Sequence, residues 1–300
     1  MAARKRFRIL WHTTLAALLV AGTGVLRAEP VIHHAHGLAF SADGKSLLVP
    51  AHVGVAVYRD GRWSRAPGPA HDFMGFSAAH IAMYSSGHPA PGSPLRNPLG
   101  LVKSTDGGAT WQQLALSGEA DFHVMAAGAV SNAVYVVNHA PNSKMSQPGL
   151  HSTRDDGKTW IYAPAAGVDS QILALAVHPK DPATLAAGTL RGGAMLSRDG
   201  GKSFSALGGH QPVTAIVFER DGKAILYAQA EPAALVRRSL GRDSNQQIKL
   251  PQLDKDFIAF VAQNPANSKE LAFVTRNRNV FLSKDGGSSW AQIAKEGEAK

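Results

Sequence analysis

One eight-residue pattern constrains this chain more than any other feature. Ser/Thr-x-Asp-x-Gly-x-Thr/Ser-Trp/Phe occurs at residues 104–111, 153–160, 197–204 and 283–290. Its aspartates, Asp106, Asp155, Asp199 and Asp285, are separated by 49, 44 and 86 residues, the last being twice 43. A degenerate copy surrounds Arg242, between Ser239 and Asp243, and another surrounds Asp60, between Tyr58 and Trp63, which brings the count to six. Six copies at a fixed period near 45 residues describe an array of supersecondary units, each needing its neighbours to bury its faces. The residue types are those of a tight hairpin: Asp accepts backbone N–H groups, Gly takes positive φ, the hydroxyl bonds locally and the aromatic ring packs beneath.

These motifs resemble the Asp-box, or bacterial neuraminidase repeat, of sialidase-like β-propellers, which also occurs in sortilin-type receptors and photosystem assembly factors. The chain as a whole is similar to exported bacterial propellers labelled glycosyl hydrolase or exo-sialidase. The resemblance implies an all-β fold with a single propeller over residues 29–300, built of six four-stranded blades whose C–D turns are the Asp-boxes. It says little about function, because propellers host many. The repeats fall at about residues 31–67, 71–115, 121–163, 169–208, 212–250 and 256–294. In the first, strands A to D are expected at 36–41, 46–51, 53–59 and 63–66; in the fourth, at 172–177, 184–188, 194–198 and 204–207. Thirty Gly and seventeen Pro suit many short strands joined by turns.

The amino terminus reads as an address. Arg4, Lys5, Arg6 and Arg8 precede an apolar stretch over residues 9–26, and Leu26-Arg27-Ala28 offers a small residue for cleavage before Glu29. Residues 1–28 are therefore expected to be a signal peptide, leaving a periplasmic or secreted monomer with no membrane span. The rival reading is a retained anchor, for which the stretch is close to the minimum spanning length. The whole chain carries +9. Removing the four leader cations and Arg27 leaves +4, so most of the charge that suggested nucleic acid belongs to export. The remaining Lys and Arg are scattered singly, and no nucleic-acid partner is expected. With no Cys in the chain, disulfides, thiolate metal sites and cysteine nucleophiles are excluded.

Histidine is the most informative residue type, with thirteen copies. In an antiparallel blade the A–B and C–D turns share one end, and the B–C and D–A loops share the other. His33, His34, His36, His71, His123 and His210 precede or open strand A, while His52, His88 and His139 end strand B or enter B–C loops. Of the twelve beyond residue 28, only His80, His151 and His178 fall elsewhere. Three pairs share a separation of 16: His36 with His52, Asp72 with His88, and His123 with His139. Equal separations about equivalent turns set each pair nearly opposite across adjacent strands.

The expectation is a His-rich mouth formed by repeats one to three that binds a small ligand or metal ion, copper or zinc. Its ligands would come from His34, His36, His52, Asp72, His88, His123 and His139, with Asp72 or Asp121 as ligand or as acceptor fixing a tautomer. Met74, Met125 and Met145 lie nearby in sequence and would tilt the choice toward copper, although Met74 and Met125 fall within strand A and suit packing. The bland alternative is a set of hydrogen-bonded residues around a solvated channel. Sialidases, as the resemblance implies, hold the substrate carboxylate with three arginines and use a Tyr activated by Glu. Arg96, Arg191, Arg276, Arg278 and Glu231 fall in B–C loops, none opens a strand A, and true sialidase activity is not expected. A different glycoside hydrolase could use Asp72 and Asp121 as its two carboxylates. A third class is a scaffold that binds an exported protein through the Pro-rich loop after His88 and the loop after Asn138.

Overall fold

The structure is a computed structural model that describes residues 32–242 and 244–300. The signal peptide expected at 1–28 and Asp243 of the fifth turn lie outside the described residues. Within them the chain is all-β, arranged as six antiparallel sheets in a ring, five of four strands and one of five. Each sheet is a consecutive meander. The inner strands A of blades 1 to 6 are Ala39–Phe40, Asp72–Ala78, Met125–Ala127, Ile172–Val177, Val213–Phe218 and Ile258–Gln263. No helix among the described residues is long and apolar enough to cross a membrane.

Because each blade is covered on both faces by its neighbours, its second strand is largely buried, and throughout its length in Leu47–Ala51, Leu185–Thr189 and Leu271–Thr275. Six hydrophobic clusters fill the six interfaces between blades. Between blades 5 and 6, for example, Leu226, Leu235 and Ile248 meet Ile258, Phe273 and the Asp-box Trp290. Truncating the fully buried Phe273 to Ala would cost about 3–5 kcal/mol at such a site.

All four full motifs are C–D turns and close in the same way. In the second, Thr153 Oγ1 donates to Asp155 (2.8 Å) and accepts from Gly157 N–H (2.9 Å), while Asp155 also accepts from Thr159 N–H (2.9 Å) and Oγ1–H (2.7 Å). The backbone and hydroxyl donors of Thr159, with the Thr153 hydroxyl, hold the Asp155 carboxyl at about 2. Asp106, Asp199 and Asp285 lie at about 2 as well, each led by the hydroxyl four residues on, in Thr110, Ser203 and Ser289. The first blade replaces the motif with a two-residue turn: Arg59 pairs with Arg62 across Asp60 (φ 50°) and Gly61 (φ 78°).

Strand A of blade 1 is shorter than its sequence suggests, two residues instead of six. His36 N–H still donates to the Pro50 carbonyl at 3.0 Å, but Pro50 has no N–H to return, so the regular ladder stops below the rim. The sixth blade is longer than expected. After Ala291–Lys295 the chain turns at Glu296 and Gly297 and adds Glu298–Ala299 as a fifth strand. That hairpin receives the amino-terminal segment, with Ile32 N–H donating to Gly297 O (3.1 Å) and the buried Ile32 side chain joining the core between blades 6 and 1. Trp63 Nε1–H reaches Ile293 O across the same seam at 2.8 Å.

Candidate metal centre at the channel mouth

The rim opposite the Asp-boxes is assembled by contacts between blades. In blade 1, His52 occupies a two-residue B–C turn between the paired Ala51 and Gly54. Gly54 N–H donates to His71 O (2.8 Å), which pins that turn to the entry of strand A in blade 2. Asp72 follows immediately. His52 Nδ1 donates to Asp72 Oδ2 at 2.9 Å, and Asp72 Oδ1 lies 3.8 Å from His36 Nε2. The join between blades 2 and 3 repeats the plan: Phe122 N–H donates to Ser86 Oγ (2.9 Å), and Asp121 sits under two imidazoles. Its Oδ2 is 2.7 Å from His123 Nε2 and 3.3 Å from His88 Nε2, while His88 Nδ1 is 2.7 Å from Asn97 Oδ1. The two blades pack tightly here. A methyl group at Gly75 would stand 1.9 Å from Phe122 O.

Three rings gather at the first join. His34 Nδ1 is 3.3 Å from His36 Nε2, and the His36 and His52 ring centroids are 4.7 Å apart. One ligand nitrogen from each of His34, His36 and His52 lies within 4.8 Å of the other two, the spacing of a metal-binding group. Burial pushes the His36 imidazole down to about 4, with His34 and His52 adding repulsion. Burial lowers His34 too, helped by His52, Arg276 and Arg278. Both rings are therefore neutral at neutral pH, the form in which imidazole binds metals. His52 Nδ1 faces Asp72 Oδ2 at 2.9 Å, so a neutral His52 turned to that carboxylate carries its proton on Nδ1 and its lone pair on Nε2. His123 behaves in the opposite way, since its hydrogen bond to Asp121 raises it above the ordinary histidine value.

The sequence-derived pairs are regrouped by this geometry. His36 and His52 do meet, and Asp72 is the cross-strand partner of His88 by backbone register. Yet the Asp72 carboxylate turns to His52 of the preceding blade, and His88 turns to Asp121 of the next. A register shift between Phe73 and Phe76 bends strand A beside Asp72. His139 is exposed, its ring 6.4 Å from that of His123. Two of the three thioethers stay away from the rim, Met125 and Met145 being buried in the core between blades 2 and 3, while Met74 is half-buried in strand A two residues after Asp72. His71 is buried and accepts from Ala90 N–H, and His151 and His178 pack against Tyr162 and Phe218. The carboxylates offered to a glycosidase, Asp72 and Asp121, each accept from imidazoles.

Sequence reasoning missed Asn97, and it placed Arg276 and Arg278 in a B–C loop without their contacts to the first blade. Asn97 lies in the long B–C loop of blade 2, where nothing but proximity to His88 marks it. Arg276 and Arg278 come from the last blade and act on His34, and Arg278 Nη1 donates to His33 O at 3.3 Å. Their sequence distance from the first blade hides the contact until the ring closes.

No family model matches the chain, and no curated protein matches it. Among solved structures, a GH74 enzyme of Niastella koreensis aligns at TM-score 0.62 with 17% identity over 87% of this chain and 45% of that one. The GH74 xyloglucanase of Xanthomonas campestris aligns at 0.59 with 15% identity over 88% and 46%. YCF48 bound to D1 peptide aligns at 0.49 with 16% identity over 87% and 82%. The likeness is one of fold. The chain spans less than half the length of the two GH74 enzymes.

Proposed function

We propose that this is an exported propeller, working in the periplasm or outside the cell, that binds one transition-metal ion at the mouth of its channel. The observation that carries the reading is the grouping of His34, His36 and His52 with their nitrogens within 4.8 Å. His34 and His36 supply neutral nitrogens, and His52 supplies the third, with Asp72 Oδ2 2.9 Å from its Nδ1. Three imidazoles with a remaining open position suit zinc or copper(II), the borderline ions that neutral nitrogen ligands favour. With Met125 and Met145 in the core, the argument for copper(I) through soft sulfur ligands rests on Met74 alone. Asp121, His88 and His123 form an adjoining hydrogen-bonded chain that lines the same mouth and is assigned no metal.

The test is metal content after loading with zinc or copper and removal of excess. The wild-type protein should retain close to one equivalent, a His36→Ala/His52→Ala variant close to none, and a His123→Ala variant the wild-type amount. A wild-type stoichiometry near zero for both ions would end this reading.

A further inference from the structure

Below the mouth, the six strands A enclose a channel of about 520 Å3, within the range that accommodates a small organic molecule. Four of the six strands A run six or seven residues, about 20 Å at about 3.3 Å per residue, so the space is longer than it is wide. Its wall is largely apolar. Each blade contributes one half-buried hydrocarbon side chain: Leu38, Phe76, Val124, Leu173, Val217 and Phe260. These side chains stand at different heights along their strands, and their half-burial leaves apolar surface along this space, which water hydrates poorly. Charge appears only at the ends. His36 and His123 line the upper end, and Lys180 and Arg220 the lower.

We propose that the channel is the binding site of a small elongated molecule with an apolar body and an anionic head, the body in the channel and the head at the His-rich mouth. The enclosure chooses the size class, since six strands wall the space and no protein segment or second copy of the chain could lie along it. The ends choose the charge. At the mouth, Arg276 and Arg278 act on His34 and supply the positive charge, while the carboxylates of Asp72 and Asp121 are each already engaged by an imidazole. The placing of the head rests on the metal reading above, because a carboxylate is a ready ligand for the open position of a three-imidazole ion. The placing of the body does not.

Leu173 gives the cleanest test. It lines the channel beside the backbone irregularity between Ile172 and Ala174, and it belongs to none of the hydrophobic clusters between blades. Binding of octanoate and acetate is measured by calorimetry on zinc-loaded and zinc-free protein, with zinc content determined on the same samples. Octanoate should bind as one equivalent and at least tenfold more tightly than acetate, because its extra methylenes enter the channel. Leu173→Glu should abolish that preference while zinc content stays at the wild-type value, and Leu173→Met should keep it. Zinc binding without a preference for octanoate, or a preference that survives Leu173→Glu, overturns the channel assignment and leaves the metal site standing. A preference for octanoate on protein that takes up no zinc supports the channel and overturns the metal reading.

Discussion

Replacing Asp72 separates an acceptor that orients a metal-bound histidine from a carboxylate that merely lines a polar rim. Asp72 Oδ2 accepts from His52 Nδ1 at 2.9 Å, and its Oδ1 is shielded from solvent without a hydrogen-bond partner. Asp72→Asn keeps the shape and an acceptor oxygen but removes the charge. A hydrogen bond to a charged group contributes about 1.5–3 kcal/mol against about 0.5–1.5 for a neutral one, so the difference is about 1–1.5 kcal/mol. His52 is nearly half exposed, at 46% against 25% for Asp72, and solvent screening holds the effect to the lower part of that range. Zinc affinity should therefore fall about fivefold to tenfold in Asp72→Asn. In Asp72→Ala, which frees the tautomer and the ring orientation, it should fall about 10–100-fold. Competition against a chromogenic chelator at pH 7.5 measures both. Asp121→Asn is the matched control, since it alters an equivalent carboxylate one blade further on and should stay within threefold of wild type. The reasoning fails if Asp72→Ala is also within threefold of wild type, or if Asp121→Asn weakens zinc as much as Asp72→Asn does.

Thr153→Val preserves volume but leaves the buried Gly157 N–H without its acceptor, at about 1–3 kcal/mol; with about 2–4 °C per kcal/mol for a chain of this size, the thermal midpoint should drop by several degrees, and Thr153→Ser should restore it. The Asp-box carboxyls, held at about 2 against an ordinary 3.8, contribute stability that is fully present above pH 4 and is lost as pH falls toward 2. Urea midpoints between pH 4 and 2 should decline in wild type and decline less steeply in Asp155→Asn; equal slopes would count against the assignment. Deleting residues 296–300 removes the Gly297 carbonyl that receives Ile32 N–H, so thermal stability and zinc affinity should fall together, read by calorimetry and chelator competition.

What could be read from the sequence follows the range of the interactions involved. The Asp-box announces itself because its bonds run between residues two and four apart, as from Asp155 to Thr153 and Thr159, and so its residue types are fixed within one short window. The ring of blades then follows from the period. Strand order also carries the histidines to one face, so the identity of the rim residues was accessible. Their pairing was not. The bond from His52 to Asp72 depends on how blade 1 leans on blade 2 through Gly54 and His71, a contact that a spacing of 16 within each blade does not encode. The contact between Arg278 and His33 spans 245 residues and exists only because the ring closes.

The seam gives that last point a functional consequence. All three imidazoles of the candidate centre come from the first blade, their orienting carboxylate from the second and the arginines that act on His34 from the sixth. The group therefore stands where the first and last blades meet, held from below by Ile32 in the shared core and from the side by Arg278 on the His33 carbonyl. A propeller whose ends had not yet joined would retain His36, His52 and Asp72 on neighbouring blades. It would lack the anchor that sets the third ring, His34, beside them. Metal affinity at this site should thus report completion of the ring as well as the identity of its ligands. For that reason, substitutions at the seam far from any nitrogen ligand, such as Trp63→Phe, which removes the bond to Ile293 O, are expected to weaken zinc in proportion to the stability they remove.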